Sequence, residues 1–170
     1  MPADRAPSQI PGYHGCYLRV DVSDGQSRHV ALGPSELRRY LGGSGLGTYL
    51  LLAEGATHVD PLSPPAPLAF VFSPLVGSPL TTSAKFAVVS RSPLTDRIND
   101  ALASSHFTLA GKRAGCDAMV IVGRAAVPSV VIVDDGHVRI EPATDLWGMD
   151  CAPAEALLRS RLGNEFQIAT

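Results

Sequence analysis

Apolar and polar positions alternate through residues 16–32, CYLRVDVSDGQSRHVAL, around an Asp24-Gly25 pair. Period-two patterning about such a pair predicts a two-stranded hairpin closed by a tight turn. The period then changes. In PSELRRYLG a proline stands in a first turn, a glutamate lies just inside, and leucines and a tyrosine recur at three- and four-residue steps. That pattern predicts a helix over about residues 34–41. The stretch GGSGLG interrupts it with four glycines in six residues, and a second helix is predicted over about 46–53. The proline-rich HVDPLSPPAPL reads as an ordered, extended surface connection, because proline fixes φ and lacks a backbone donor. Three short apolar runs, LAFVF, KFAVVSR and DAMVIVG, are predicted to be buried strands. Between the last two, Asn99 or Asp100 can cap a helix that reaches about Arg113 and stops near Gly115. Its small residues, among them Ala101, Ala103, Ser104, Ser105 and Gly111, would let a neighbouring backbone or a flat ligand approach closely.

The tail repeats the opening plan of strand, acidic-glycine turn, strand and helix. Asp135-Gly136 answers Asp24-Gly25, and LRSRLG answers LRRYLG. Two such units predict an α+β fold with a pseudo-two-fold repeat of β-hairpin-plus-helix units, their strands pairing between halves in two mixed β-sheets. After LRSRLG the run FQIA reads as a further strand, which implies a folding unit that continues beyond Thr170. The domain reading is a flexible lead-in over residues 1–12 and a single, C-terminally incomplete domain over 13–170.

Charge and composition then narrow the function classes. The net charge of −2 and the scatter of the 14 basic residues argue against a nucleic-acid surface. Three cysteines, far apart and outside any C-x-x-C pair, write neither a disulfide framework nor an iron–sulfur or zinc site. A polar start without an apolar signal core, and no apolar run of about 18 residues, predict a cytoplasmic chain that makes no use of a membrane.

Candidate chemistry is sparse. Gly43 and Gly45 suit a dinucleotide fingerprint, but Thr48 stands where its third glycine belongs and a helix, not a strand, precedes it. The glycines either pack two helices tightly or bring bare amides up to an anion or cofactor. No local signature marks a nucleophile with its base. His106 lies beside Ser104 and Ser105 among the small residues. Lys85 opens an apolar strand, where a cation either snorkels or awaits an anion.

Six segments, in order, carry a resemblance: LGGSGLGTYLL, VDPLSP, PLVGSP, AVVSRSPLT, AGCDAMVIVGRA and DLWGMD. Together they resemble the N-terminal domain of the tungsten-dependent aldehyde ferredoxin oxidoreductases. The resemblance implies a base on which a tungsten or molybdenum bis-pterin cofactor lies. It also implies further domains or a partner subunit that supply a [4Fe-4S] cluster, for which this chain has no ligands, and that pass electrons to ferredoxin. The implied reaction oxidises an aldehyde to a carboxylic acid, with no turnover by this chain alone. The cofactor-binding set implied is Gly43, Ser44, Gly45, Lys85, Ser104, Ser105 and His106. Two departures stand out. Ala84-Lys85 replaces the usual Gly-Arg, keeping the charge but losing the planar fork. Leu102-Ala103-Ser104-Ser105 replaces Asn-Ser-Gly-Gly, offering hydroxyls where glycines allowed close backbone approach. The alternative function is a non-catalytic, stand-alone pterin-binding or partner-docking protein.

Overall fold

A computed structural model describes residues 10–170. Residues 1–9 of the expected lead-in lie outside the described residues, while Ile10 already packs against the core. The described residues build a six-stranded mixed sheet, a separate two-stranded sheet and four α-helices. This is the α+β class with two sheets that the patterning predicts. In order the elements are β1 (Cys16–Asp21), β2 (Ser27–Ala31), α1 (Pro34–Tyr40), α2 (Gly43–Ala53), β3 (Leu68–Phe72), β4 (Lys85–Arg91), β5 (Ile98–Ser104), α3 (His106–Arg113), β6 (Ala118–Val122), β7 (Ser129–Asp134), β8 (His137–Pro142) and α4 (Cys151–Leu162). The large sheet runs β2-β1-β6-β3-β4-β5, with β1 and β6 parallel and the other neighbours antiparallel.

Alternation along the central strands divides the core in two. Tyr17, Ala69, Val71, Ala87, Val89, Ala118 and Val120 face α1 and α2, where Leu37, Leu46, Leu50 and Leu51 are buried against them. Gly47 makes the close approach possible, since a Cβ there would lie 2.5 Å from Val89 Cγ2. The opposite face carries Leu18, Val20, Phe72 and Phe86, packed with Phe70, Phe107, Met119 and the inward side of the β7–β8 hairpin.

Five expectations are corrected. The glycine stretch is not a loop: α2 begins at Gly43, so only Leu41 and Gly42 separate the helices. The helix expected from Asn99 or Asp100 is a strand as far as Ser104, because residues 98–104 find a full antiparallel partner in β4 across a tight 92–97 turn, and only α3 is helical. The two hairpins do not pair with each other, since β7 and β8 hydrogen-bond only between themselves while β1 takes β6. FQIA forms no strand, having no backbone partner; instead Phe166 and Ile168 lean into a cleft beside α4. The proline-rich connection also turns rather than extends, with Asp60 accepting from Leu62 and Ser63 and the Ser63 carbonyl accepting from Ala66.

Candidate functional site

β5 is the edge of the large sheet, and all seven of its residues are exposed. Direct antiparallel partners share a face, so the register assigns its sides. Lys85 lies opposite Ser104, Ala87 opposite Leu102, and Val89 opposite Asp100. Ala87 and Val89 face α2, so Lys85, Asp100, Leu102 and Ser104 form a ledge on that same face, beside the N-terminus of α2.

Two hydrogen bonds organise the ledge. Ser44 in the first turn of α2 donates its hydroxyl to Asp100 Oδ2 at 2.6 Å, tying helix to edge strand. Lys85 Nζ donates to Ser104 Oγ at 3.0 Å. Among the described residues no carboxylate pairs with Lys85, whose exposed side chain has the Ser104 hydroxyl as its neighbour. Gly42 caps α2 without a side-chain acceptor, so the amides of Gly43, Ser44 and Gly45, which a helix start leaves without an intrahelical partner, gain none from the cap. Gly43 adopts φ 53°, and a Cβ built there meets nothing within 4 Å.

The expected site residues therefore separate into groups. Gly43 and Ser44 stand by Asp100 on the ledge, and Lys85 and Ser104 pair four residues further along β5 on the same face. Gly45 is a packing residue, since a Cβ there would stand 2.7 Å from the Tyr40 carbonyl oxygen. Ser105 is spent as the N-cap of α3, accepting from the Phe107 amide at 3.3 Å. His106, exposed, borders a largely apolar cleft of about 1050 Å³ on the opposite face, with Phe107, Met119, Trp147 and Leu158. Sequence reasoning missed Asp100 as the partner of Ser44; the signal that could have found it is the Ser-Pro-Leu-Thr-Asp turn, which makes residues 98–104 the return strand of a hairpin.

Away from the ledge, a polar knot closes the far end of the helical face. The Tyr17 hydroxyl donates to Glu54 Oε1 at 2.7 Å and Arg19 Nε donates to Glu54 Oε2 at 2.9 Å. Burial and the Glu54 carboxylate push the Tyr17 phenol well above its ordinary range. No group of three or more His, Cys, Asp or Glu side chains among the described residues is placed to hold a metal ion. No described helix is long and apolar enough to cross a membrane.

Comparison with known proteins fits this architecture. Residues 17–170 match the family model described as "Aldehyde ferredoxin oxidoreductase, N-terminal domain". A tungsten-containing aldehyde ferredoxin oxidoreductase of Pyrococcus furiosus is 36% identical over 154 residues, covering 91% of this chain and 26% of its own length. An aliphatic sulfonate oxidoreductase, WOR-like subunit, of the same organism is 35% identical over 140 residues, covering 81% of this chain and 22% of its own. Among solved structures, the active-site complex BamBC of benzoyl coenzyme A reductase, with 1,5-dienoyl-CoA, superposes with a TM-score of 0.83 at 26% identity, over 89% of this chain and 23% of that one. The chain thus spans about a quarter of the length of these relatives.

Proposed function

Since the chain belongs to the aldehyde ferredoxin oxidoreductase N-terminal domain family, we propose that it is the cofactor-base domain of a larger cytoplasmic oxidoreductase, and that its ledge holds part of a tungsten or molybdenum bis-pterin. The observation that carries this reading is the exposed Lys85 ammonium, bonded to Ser104 and without a carboxylate partner among the described residues, on the edge-strand face to which the uncapped first turn of α2 is tied through Ser44 and Asp100. A pterin cofactor carries anionic phosphate and a flat polar ring edge. Lys85 supplies charge, Ser104 a hydroxyl, the first turn of α2 its amides, and Gly43 the open approach that a Cβ would narrow. The donor set therefore suits the group. Asp100 limits where phosphate can sit, because its carboxylate repels an anion and is already engaged by Ser44.

When bound, the metal centre supplies two-electron oxidation of an aldehyde to a carboxylic acid, with electrons leaving through an iron–sulfur cluster of the partner domains to ferredoxin. The residues of this chain bind and orient. His106 lies across the sheet from Lys85, so the two do not meet one bound group, and in this reading the chemistry belongs to the cofactor and the remaining domains. The same geometry serves a stand-alone pterin-binding or docking protein. The cysteine-rich partner is what separates the two readings.

The test is tungsten and molybdenum content by elemental mass spectrometry after anaerobic native purification. Near-stoichiometric metal that falls severalfold in Lys85→Ala is expected. A cysteine-rich partner in the same fraction marks the oxidoreductase, and its absence the stand-alone protein. Parent protein without metal, or metal content indifferent to Lys85→Ala, overturns the ledge as the holding site.

A further inference from the structure

The turn between α1 and α2 holds an uncommon backbone. Leu41 has φ 58° and ψ −76°, near the rare, strained form of the γ-turn at about +75° and −65°. The Gly42 N–H closes that turn on the Tyr40 carbonyl at 2.8 Å. Among the described residues four non-glycine residues have positive φ, namely Leu41, Thr82, Asp96 and Asp135, and Leu41 is the apolar one of them, without a polar group to bond its own backbone. Its side chain is 62% exposed, so burial does not hold it there.

What does reach Leu41 is Tyr13, whose hydroxyl donates to the Leu41 carbonyl at 2.7 Å. Tyr13 is itself well anchored. Lys112 Nζ lies 5.6 Å from its ring centroid and 2.6 Å from Asp117 Oδ1. The buried Asp117 carboxylate also accepts the backbone amides of His14 and Gly15, which follow Tyr13 directly. Burial, and then the charge of Asp117, raise the Tyr13 phenol above its usual range, so it stays a protonated donor at neutral pH.

We infer that Tyr13 is a positioning residue: its hydroxyl holds Leu41 in the strained turn and thereby sets the direction in which Gly43 and the first-turn amides of α2 face the ledge. The functional consequence rests on the cofactor-base reading, but the local effect does not. Without the hydroxyl, a leucine at positive φ relaxes toward the negative side, and α2 starts in a different orientation. Glycine at position 41 carries no such cost, because without a Cβ it occupies positive φ freely.

The test compares the full chain with Tyr13→Phe, Leu41→Gly and the double variant, reading amide exchange at Gly42 by NMR. One net hydrogen bond is worth about fivefold in exchange, so Tyr13→Phe should speed the Gly42 amide by about that factor while the Ala118 to Val122 amides stay unchanged. The double variant should return to the parental rate. An unchanged Gly42 rate in Tyr13→Phe, or a rise that Leu41→Gly fails to restore, makes Tyr13 a packing residue and overturns the inference. Should Tyr13→Phe not fold, recovery of the fold and of the parental rate in the double variant supports it, and failure of that variant overturns it. Metal content read on the same proteins should fall in Tyr13→Phe and recover in the double variant. A parent without metal would remove the ledge reading and leave the exchange result standing.

Discussion

At the scale of single residues, Tyr17 shows how burial and one carboxylate couple stability to pH. Its phenol is buried and bonded to Glu54, and both raise its pKa above that of the unfolded chain. The folded state therefore keeps a proton that the unfolded state releases from about pH 10 upward. The stabilisation is complete below that pH and is lost progressively as pH rises above it toward the raised value of the folded state. Urea midpoints between about pH 8 and 11 should fall on the alkaline side, and Tyr17→Phe should flatten the fall; an identical slope in the variant would remove Tyr17 from the account. Neither this contact nor the Tyr13–Leu41 and Ser44–Asp100 pairs can be read from the sequence. They join residues 37, 28 and 56 positions apart, and no local period reports such a distance. Lys85 stands out in the sequence because a lone cation heads an apolar strand, and it lies exposed at the start of β4, opposite Ser104.

At the scale of elements, legibility follows burial. The central strands and the β7–β8 hairpin show plain apolar runs or alternation, and they lie where the sequence puts them. β5 has no buried face to generate a pattern, and its alanines and serines suit a helix as well as a strand, so only its partner β4 decides its state. The glycines of α2 divide in the same physical terms. A methyl at Gly47 would meet Val89 Cγ2 at 2.5 Å and Cβ at 2.9 Å, well inside van der Waals contact. Gly47→Ala should then cost about 1–3 kcal/mol by forcing α2 off the sheet. A methyl at Gly43 meets nothing, so Gly43→Ala should cost only the positive-φ penalty of about 1–2 kcal/mol. A loss below about 1 kcal/mol in Gly47→Ala, read from denaturant midpoints, would show that the helix–sheet contact is looser than described.

At the scale of the whole molecule, the exposed edge is the dominant liability. β5 offers a row of backbone groups with no further strand beside them, and Leu94, Ile98 and Leu102 stand 92%, 41% and 69% exposed along it and its turn. Such an edge invites pairing with another chain. The isolated chain should bind a hydrophobic dye while folded and self-associate on size exclusion. Leu102→Lys should reduce both, with a change in stability within about 0.5 kcal/mol; a parent that is monodisperse and dye-silent would contradict this. The sheet order has a different consequence at synthesis. β6 sits between β1 and β3 and pairs Tyr17 with Ala118. A nascent chain on the ribosome therefore carries its first hairpin with one edge waiting until β6 emerges, and neither β1 nor β3 can close its backbone ladder before then. Long-range pairing of this kind slows folding and lengthens the exposure of unpaired edges, so slower translation or added chaperone should change the yield of native protein even where final stability is unchanged.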